Sequence, residues 1–137
     1  MTHQQMLGLV DVGVPASGPA YWRAVWSKRH TAVAIVAAAA LFAMLVSARQ
    51  ASGAADYVLL GLAAVVGAVT LVTYVPPAGS PAREHLTGGA CAVVPVLVVL
   101  GAPVMLSQAD ATLVPLLALL TFYAFAAGKR ITTHASC

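Results

Sequence analysis

Residues 21–46 read YWRAVWSKRHTAVAIVAAAALFAMLV. The first ten hold both tryptophans of the chain, Trp22 and Trp26, and three cations, Arg23, Lys28 and Arg29; the sixteen that follow hold no charge. An uncharged apolar run of about 20 residues, wound as a helix, crosses a hydrocarbon core about 30 Å thick. Indoles and long cationic side chains gather at the edge of such a core, the rings at headgroup level and the charges reaching toward phosphate. The juxtaposition therefore reads as a membrane boundary at residues 20–30 followed by a span from Thr31 to Ala48. Trp22, Arg23, Trp26, Lys28 and Arg29 are the expected interface anchors. Wound as one helix, Trp22, Val25 and Trp26 would share a side.

Working outward, three further runs have the same character: Tyr57 to Val75, about Leu86 to Leu106, and Ala111 to Gly128. None of the four contains Asp, Glu, Lys, Arg or His. Apolar residues surround each run instead of forming a stripe, the pattern of a helix covered by lipid. Backbone polar groups inside a bilayer must be satisfied within the segment, so the runs are expected to be helices. Val46-Ser47-Ala48 would serve as a signal-peptide cleavage site, but the stretch before the first run is long for the leading region of such a peptide. The expected fold is all-α, a four-transmembrane-helix bundle with an N-terminal interfacial segment. Its parts are an arm and collar (1–30), a membrane domain (31–128) and a tail (129–137).

The composition agrees. The chain has 137 residues, 61% hydrophobic and 8% charged, against about 25% charged in ordinary globular proteins. Its formal net charge of +3 is too small and too scattered for a nucleic-acid partner, which is bound by neutralising many phosphates. Cations set the orientation. Arg23, Lys28, Arg29, Arg83, Lys129 and Arg130 fall on one side of the expected spans and Arg49 on the other. The bias of Lys and Arg toward the cytoplasm then puts both termini inside, in a bacterial inner membrane. Asp56 and Asp110 each precede a span on the outer side, where a carboxylate suits a helix N-terminus.

Short loops at 49–56 and 107–110 predict two antiparallel hairpins, with the proline-rich PPAGSPAREH (76–85) between them. Asp56-Tyr-Val-Leu-Leu-Gly-Leu and Asp110-Ala-Thr-Leu-Val-Pro-Leu hint at a duplication. Ala63 and Gly67, and Gly88 and Ala92, are small-xxx-small pairs suited to close helix packing. Pro95 and Pro103 should bend the third span and free the carbonyls of Cys91 and Val99. Residues 1–19 are too short to span and read first as a disordered arm; their Leu7, Leu9, Val12 and Val14 offer the alternative of an extended arm that lies on a neighbouring subunit.

Candidates for chemistry are few. An ionisable group within a span would point to a transport or proton path, and the four runs have none. Thr70, Thr73, Thr87, Cys91 and Thr121 form a possible polar cluster in the cytoplasmic half. Arg83, Glu84 and His85 are a possible headgroup or partner contact. The four histidines lie outside the expected spans without metal-ligand spacing, so no metal, haem or other cofactor is expected. No nucleophile–base set, paired carboxylates or phosphate loop is present, so no enzyme activity is expected. The leading expectation is a non-catalytic accessory or scaffolding subunit, with the lipid bilayer and other membrane subunits or further copies as partners. An oligomeric transporter or channel for a small or lipidic solute comes second, and the membrane anchor of a redox enzyme third.

Overall fold

The computed structural model describes residues 18–79 and 90–132, with side chains of residues 90–92 excluded. Within these, five helices and no strand occur: α1 (Pro19–Val25), α2 (Lys28–Arg49), α3 (Ala54–Val72), α4 (Ala90–Ser107) and α5 (Leu113–Thr132). By length and composition α2, α3 and α5 can each cross a membrane, and Val93–Ser107 of α4 is a shorter apolar stretch. The bundle exterior is apolar too. Ile35, Val36, Leu97, Met105, Val114, Phe122 and Phe125 are all exposed, a surface that water would not tolerate over this extent. This is the exterior of a membrane protein.

The collar is two helices rather than one. The first starts at Gly18, whose φ of 89° is one that glycine adopts without strain, with Pro19 at the first helical position. It stops because Trp26 turns extended at φ −65°, ψ 126°. Ser27, also extended, then opens α2 as its N-cap. The cause is local: serine competes for backbone groups and favours a cap over a helix interior. Consequently Trp22 and Trp26 do not share a face. Trp22 is 5% exposed and Trp26 39%.

Two hairpins pack side by side. One pairs α2 with α3 and the other α4 with α5, with α3 also against α5 and α2 against α4. The core lies along stripes set by helical periodicity. On α5 the buried residues are Leu116, Leu119, Tyr123, Ala126, Ala127 and Arg130, the i, i+3, i+4, i+7 spacing of one face. Opposite it, α3 buries Leu60, Ala63, Ala64, Gly67 and Ala68. Those small residues let the two backbones approach closely. A Cβ added at Gly67 would lie 2.8 Å from Cε2 of Tyr123 and 3.0 Å from Cδ1 of Leu41, so the missing side chain is where the Tyr123 ring sits.

Helix limits differ from the hydropathy runs at the polar ends. Lys28, Arg29 and His30 belong to α2, and α5 runs on through Lys129 and Arg130 to Thr132. Hydropathy marks where charge begins, whereas backbone hydrogen bonding continues past it until a cap intervenes.

Candidate functional site

The last turn of α3 leaves carbonyls without intrahelical donors and carries the negative end of the helix dipole. Part of the need is met locally. The Thr73 N–H donates to the Val69 and Thr70 carbonyls, Tyr74 N–H to Leu71 and Val75 N–H to Val72. Thr70 Oγ1 donates to the Val66 carbonyl at 3.0 Å, and Thr73 Oγ1 to the Thr70 carbonyl at 2.6 Å. The carbonyls of Thr73 and Val75 are then served from other helices. Arg130 of α5 donates through Nη2 to the Thr73 carbonyl at 3.4 Å and through Nε to Thr73 Oγ1 at 3.3 Å. His30 of α2 places Nε2 at 3.1 Å from the Val75 carbonyl. One helix end is thus capped by two neighbours.

The protonation of His30 follows from its partners. The Ser27 backbone N–H lies 3.3 Å from His30 Nδ1, and the Ser27 hydroxyl 2.8 Å from it. An N–H needs an acceptor, so Nδ1 is unprotonated and Nε2–H donates to Val75. The ring therefore closes the start of α2 as the Glu of a capping box does, while its other edge reaches α3. It is 1% exposed.

Arg130 is 5% exposed, a burial that normally requires a counter-ion. Among the described residues no carboxylate pairs with Arg130, and the ion pair of Arg49 with Asp56 lies elsewhere in the bundle. Instead Arg130 meets the α3 carbonyl end and the face of Tyr74, with its guanidinium carbon 4.3 Å from the ring centroid. A cation over an aromatic face in a dry setting gains about 2 kcal/mol. The first helix covers this end: the Gly18 N–H donates to the Ile131 carbonyl at 3.2 Å. Burial pushes the Tyr21 phenol up, against a smaller downward pull from the Arg130 charge.

A second tie holds the opposite end. Arg49, at the end of α2, donates to the carbonyls of Asp110 and Thr112 at 2.6 Å each and lies 3.9 Å from Asp56 Oδ1. One guanidinium there joins both hairpin loops.

Between the ends, Tyr123 resolves a defect that proline creates. Pro103 has no N–H for the Val99 carbonyl four residues back. The Tyr123 hydroxyl donates to that carbonyl at 2.7 Å, with both residues buried. Beside it runs an apolar groove of about 530 Å³ between α4 and α5, lined by Val98, Gly101, Met105, Pro115, Ala118 and Phe122 among others.

The structure gathers Thr70 and Thr73 but sends Thr121 elsewhere: it is exposed and donates to the Leu117 carbonyl of its own helix at 2.8 Å. Arg23, Lys28 and Arg29 are exposed, and Trp26 Nε1 donates to Thr31 Oγ1 at 2.9 Å. Ala63 and Gly67 are buried on α3. Arg83, Glu84, His85, Thr87 and Gly88 lie outside the described residues, as do the side chains of Cys91 and Ala92 and the arm at 1–17. His30 and Arg130 were not among the expected site residues. A signal for each existed: Ser27-x-x-His30 has capping-box spacing, and Arg130 continues the Leu116–Tyr123–Ala127 stripe.

Comparison of the chain with protein-family models, with curated proteins and with solved structures finds no match.

Proposed function

We propose that this chain is a four-span protein of the cell membrane with both termini in the cytoplasm, serving as a non-catalytic accessory or scaffolding subunit. The observation that carries the reading is how the interior is used. Tyr123, Leu45, Leu60, Leu116 and Val99 fill the interior of the bundle, and Thr70, Thr73, Tyr123, His30 and Arg130 all direct polar atoms to backbone carbonyls. The large recess opens sideways between α4 and α5 and is lined by hydrocarbon. A rigid, filled bundle with a lateral apolar groove suits docking of another transmembrane helix better than passage of a solute.

Gly101 makes this testable. It lines the groove, and a Cβ added there meets nothing within 4 Å, so Gly101→Leu would fill the recess and spare the fold. Extracted in mild detergent, the wild-type chain should elute in a stoichiometric hetero-complex and Gly101→Leu as the free chain. A complex unaffected by the substitution, or a wild-type chain that never leaves the monomer, would refute the reading.

The same groove, beside a helix containing Pro95 and Pro103, also favours a second reading, a transporter for a lipidic solute. That reading requires a homo-oligomer and a solute flux that Gly101→Leu abolishes.

A further inference from the structure

Among the described residues, carboxylates accompany the cation at one end of the bundle and not those at the other. At the loop end Arg49 sits against Asp56 and the Asp110 carbonyl. Asp56 and Asp110 are the only carboxylate side chains among the described residues. At the other end, where His30 and Arg130 cap α3, stand Arg23, Lys28 and Arg29, all exposed, with Arg130 buried beneath. No described carboxylate accompanies them. Two of these cations, Lys28 and Arg29, occupy the first turn of α2, which has no acidic residue. There they face the positive end of the helix dipole, an arrangement unfavourable for the isolated protein.

We infer that this end is a binding surface for anionic phospholipid, with Arg23, Lys28 and Arg29 holding headgroup phosphates. The inference rests on the membrane reading above and adds the lipid class. The source of the phosphate follows from what adjoins the charges. Trp26 is exposed at the same level, and Ile35 and Val36 are exposed a turn or two further along α2. An acidic protein segment would neutralise the cations and leave those side chains in water. A lipid supplies phosphate and hydrocarbon in that order. Buried Arg130, held by Thr73 and Tyr74, adds fixed positive potential without touching the lipid.

The test uses the full chain in vesicles of phosphatidylcholine alone and of equimolar phosphatidylcholine and phosphatidylglycerol. Flotation reads insertion, and native mass spectrometry reads the lipids retained after extraction. The wild type should float with both vesicles and retain phosphatidylglycerol preferentially. Each of Arg23→Gln, Lys28→Gln and Arg29→Gln should reduce that preference about fivefold, the factor matching roughly 1 kcal/mol per cation at an anionic surface. The triple variant should lose it while keeping wild-type helicity. Flotation with both vesicles but no preference in the wild type overturns the inference and leaves the membrane reading standing. Flotation with neither removes both. Preference that persists in the triple variant assigns the lipid to other residues, and displacement by millimolar inorganic phosphate makes this an ion site; either result overturns the inference.

Discussion

Replacing Gly67 with alanine adds one methyl group at the point where three helices meet. Its Cβ would stand 2.8 and 3.2 Å from Cε2 and Cδ2 of Tyr123 and 3.0 Å from Cδ1 of Leu41. Carbon atoms at rest lie about 3.5–4.0 Å apart, so the neighbours must retreat by roughly 0.5–0.7 Å. Neither retreats cheaply. Tyr123 is fully buried with its hydroxyl held by the Val99 carbonyl at 2.7 Å, and Leu41 is buried against the same cluster. Overpacking of this kind costs about 1–3 kcal/mol, against which alanine regains about 1 kcal/mol of helix propensity. The net expectation is a loss of up to about 2 kcal/mol, read by reversible unfolding in mixed micelles. In a Tyr123→Phe background the ring loses its tether and can shift, so the same substitution should cost less by about 0.5–1 kcal/mol, a coupling for a double-mutant cycle. A stabilising Gly67→Ala, or costs that simply add, would refute the packing described at this crossing.

Two other substitutions test the polar contacts. Tyr123→Phe strands the Val99 carbonyl and should cost about 1–3 kcal/mol, but much less in a Pro103→Ala background, where residue 103 regains an N–H for that carbonyl; equal costs in both would sever the link between Pro103 and Tyr123. Arg130→Gln removes the guanidinium from the α3 terminus and the Tyr74 face, with an expected loss of about 1–3 kcal/mol and faster amide exchange at residues 73–75; unchanged exchange there would reduce Arg130 to a bystander.

What could be read from the residues was whatever depends on counting hydrocarbon. The long uncharged runs became α2, α3 and α5, and the small residues Ala63 and Gly67 became a close helix contact. Proline chemistry was also legible, since the absent N–H of Pro103 predicts an orphan carbonyl at Val99. Its partner was not, because a tyrosine 24 residues on can face any direction until the hairpin closes. His30 and Arg130 were hidden for a related reason. Sequence position marks them as boundary residues, and boundary residues are normally solvated. They are buried because α3 ends within their reach with carbonyls to satisfy, a fact of tertiary structure. The break at Trp26–Ser27 could have been suspected from serine alone, yet the two-indole pattern favoured an unbroken helix.

The central claim is that the two ends of this bundle face opposite sides of a membrane. In a chain with Cys91 and Cys137 replaced by alanine, single cysteines at Arg23, Ala78 and Gln108 can be probed with a membrane-impermeant maleimide in intact and inverted membrane preparations. The account predicts that Arg23→Cys and Ala78→Cys react only from the cytoplasmic face, and Gln108→Cys only from the outer face. Labelling of Ala78→Cys and Gln108→Cys from the same side would mean that α4 does not cross, and would contradict the four-span bundle.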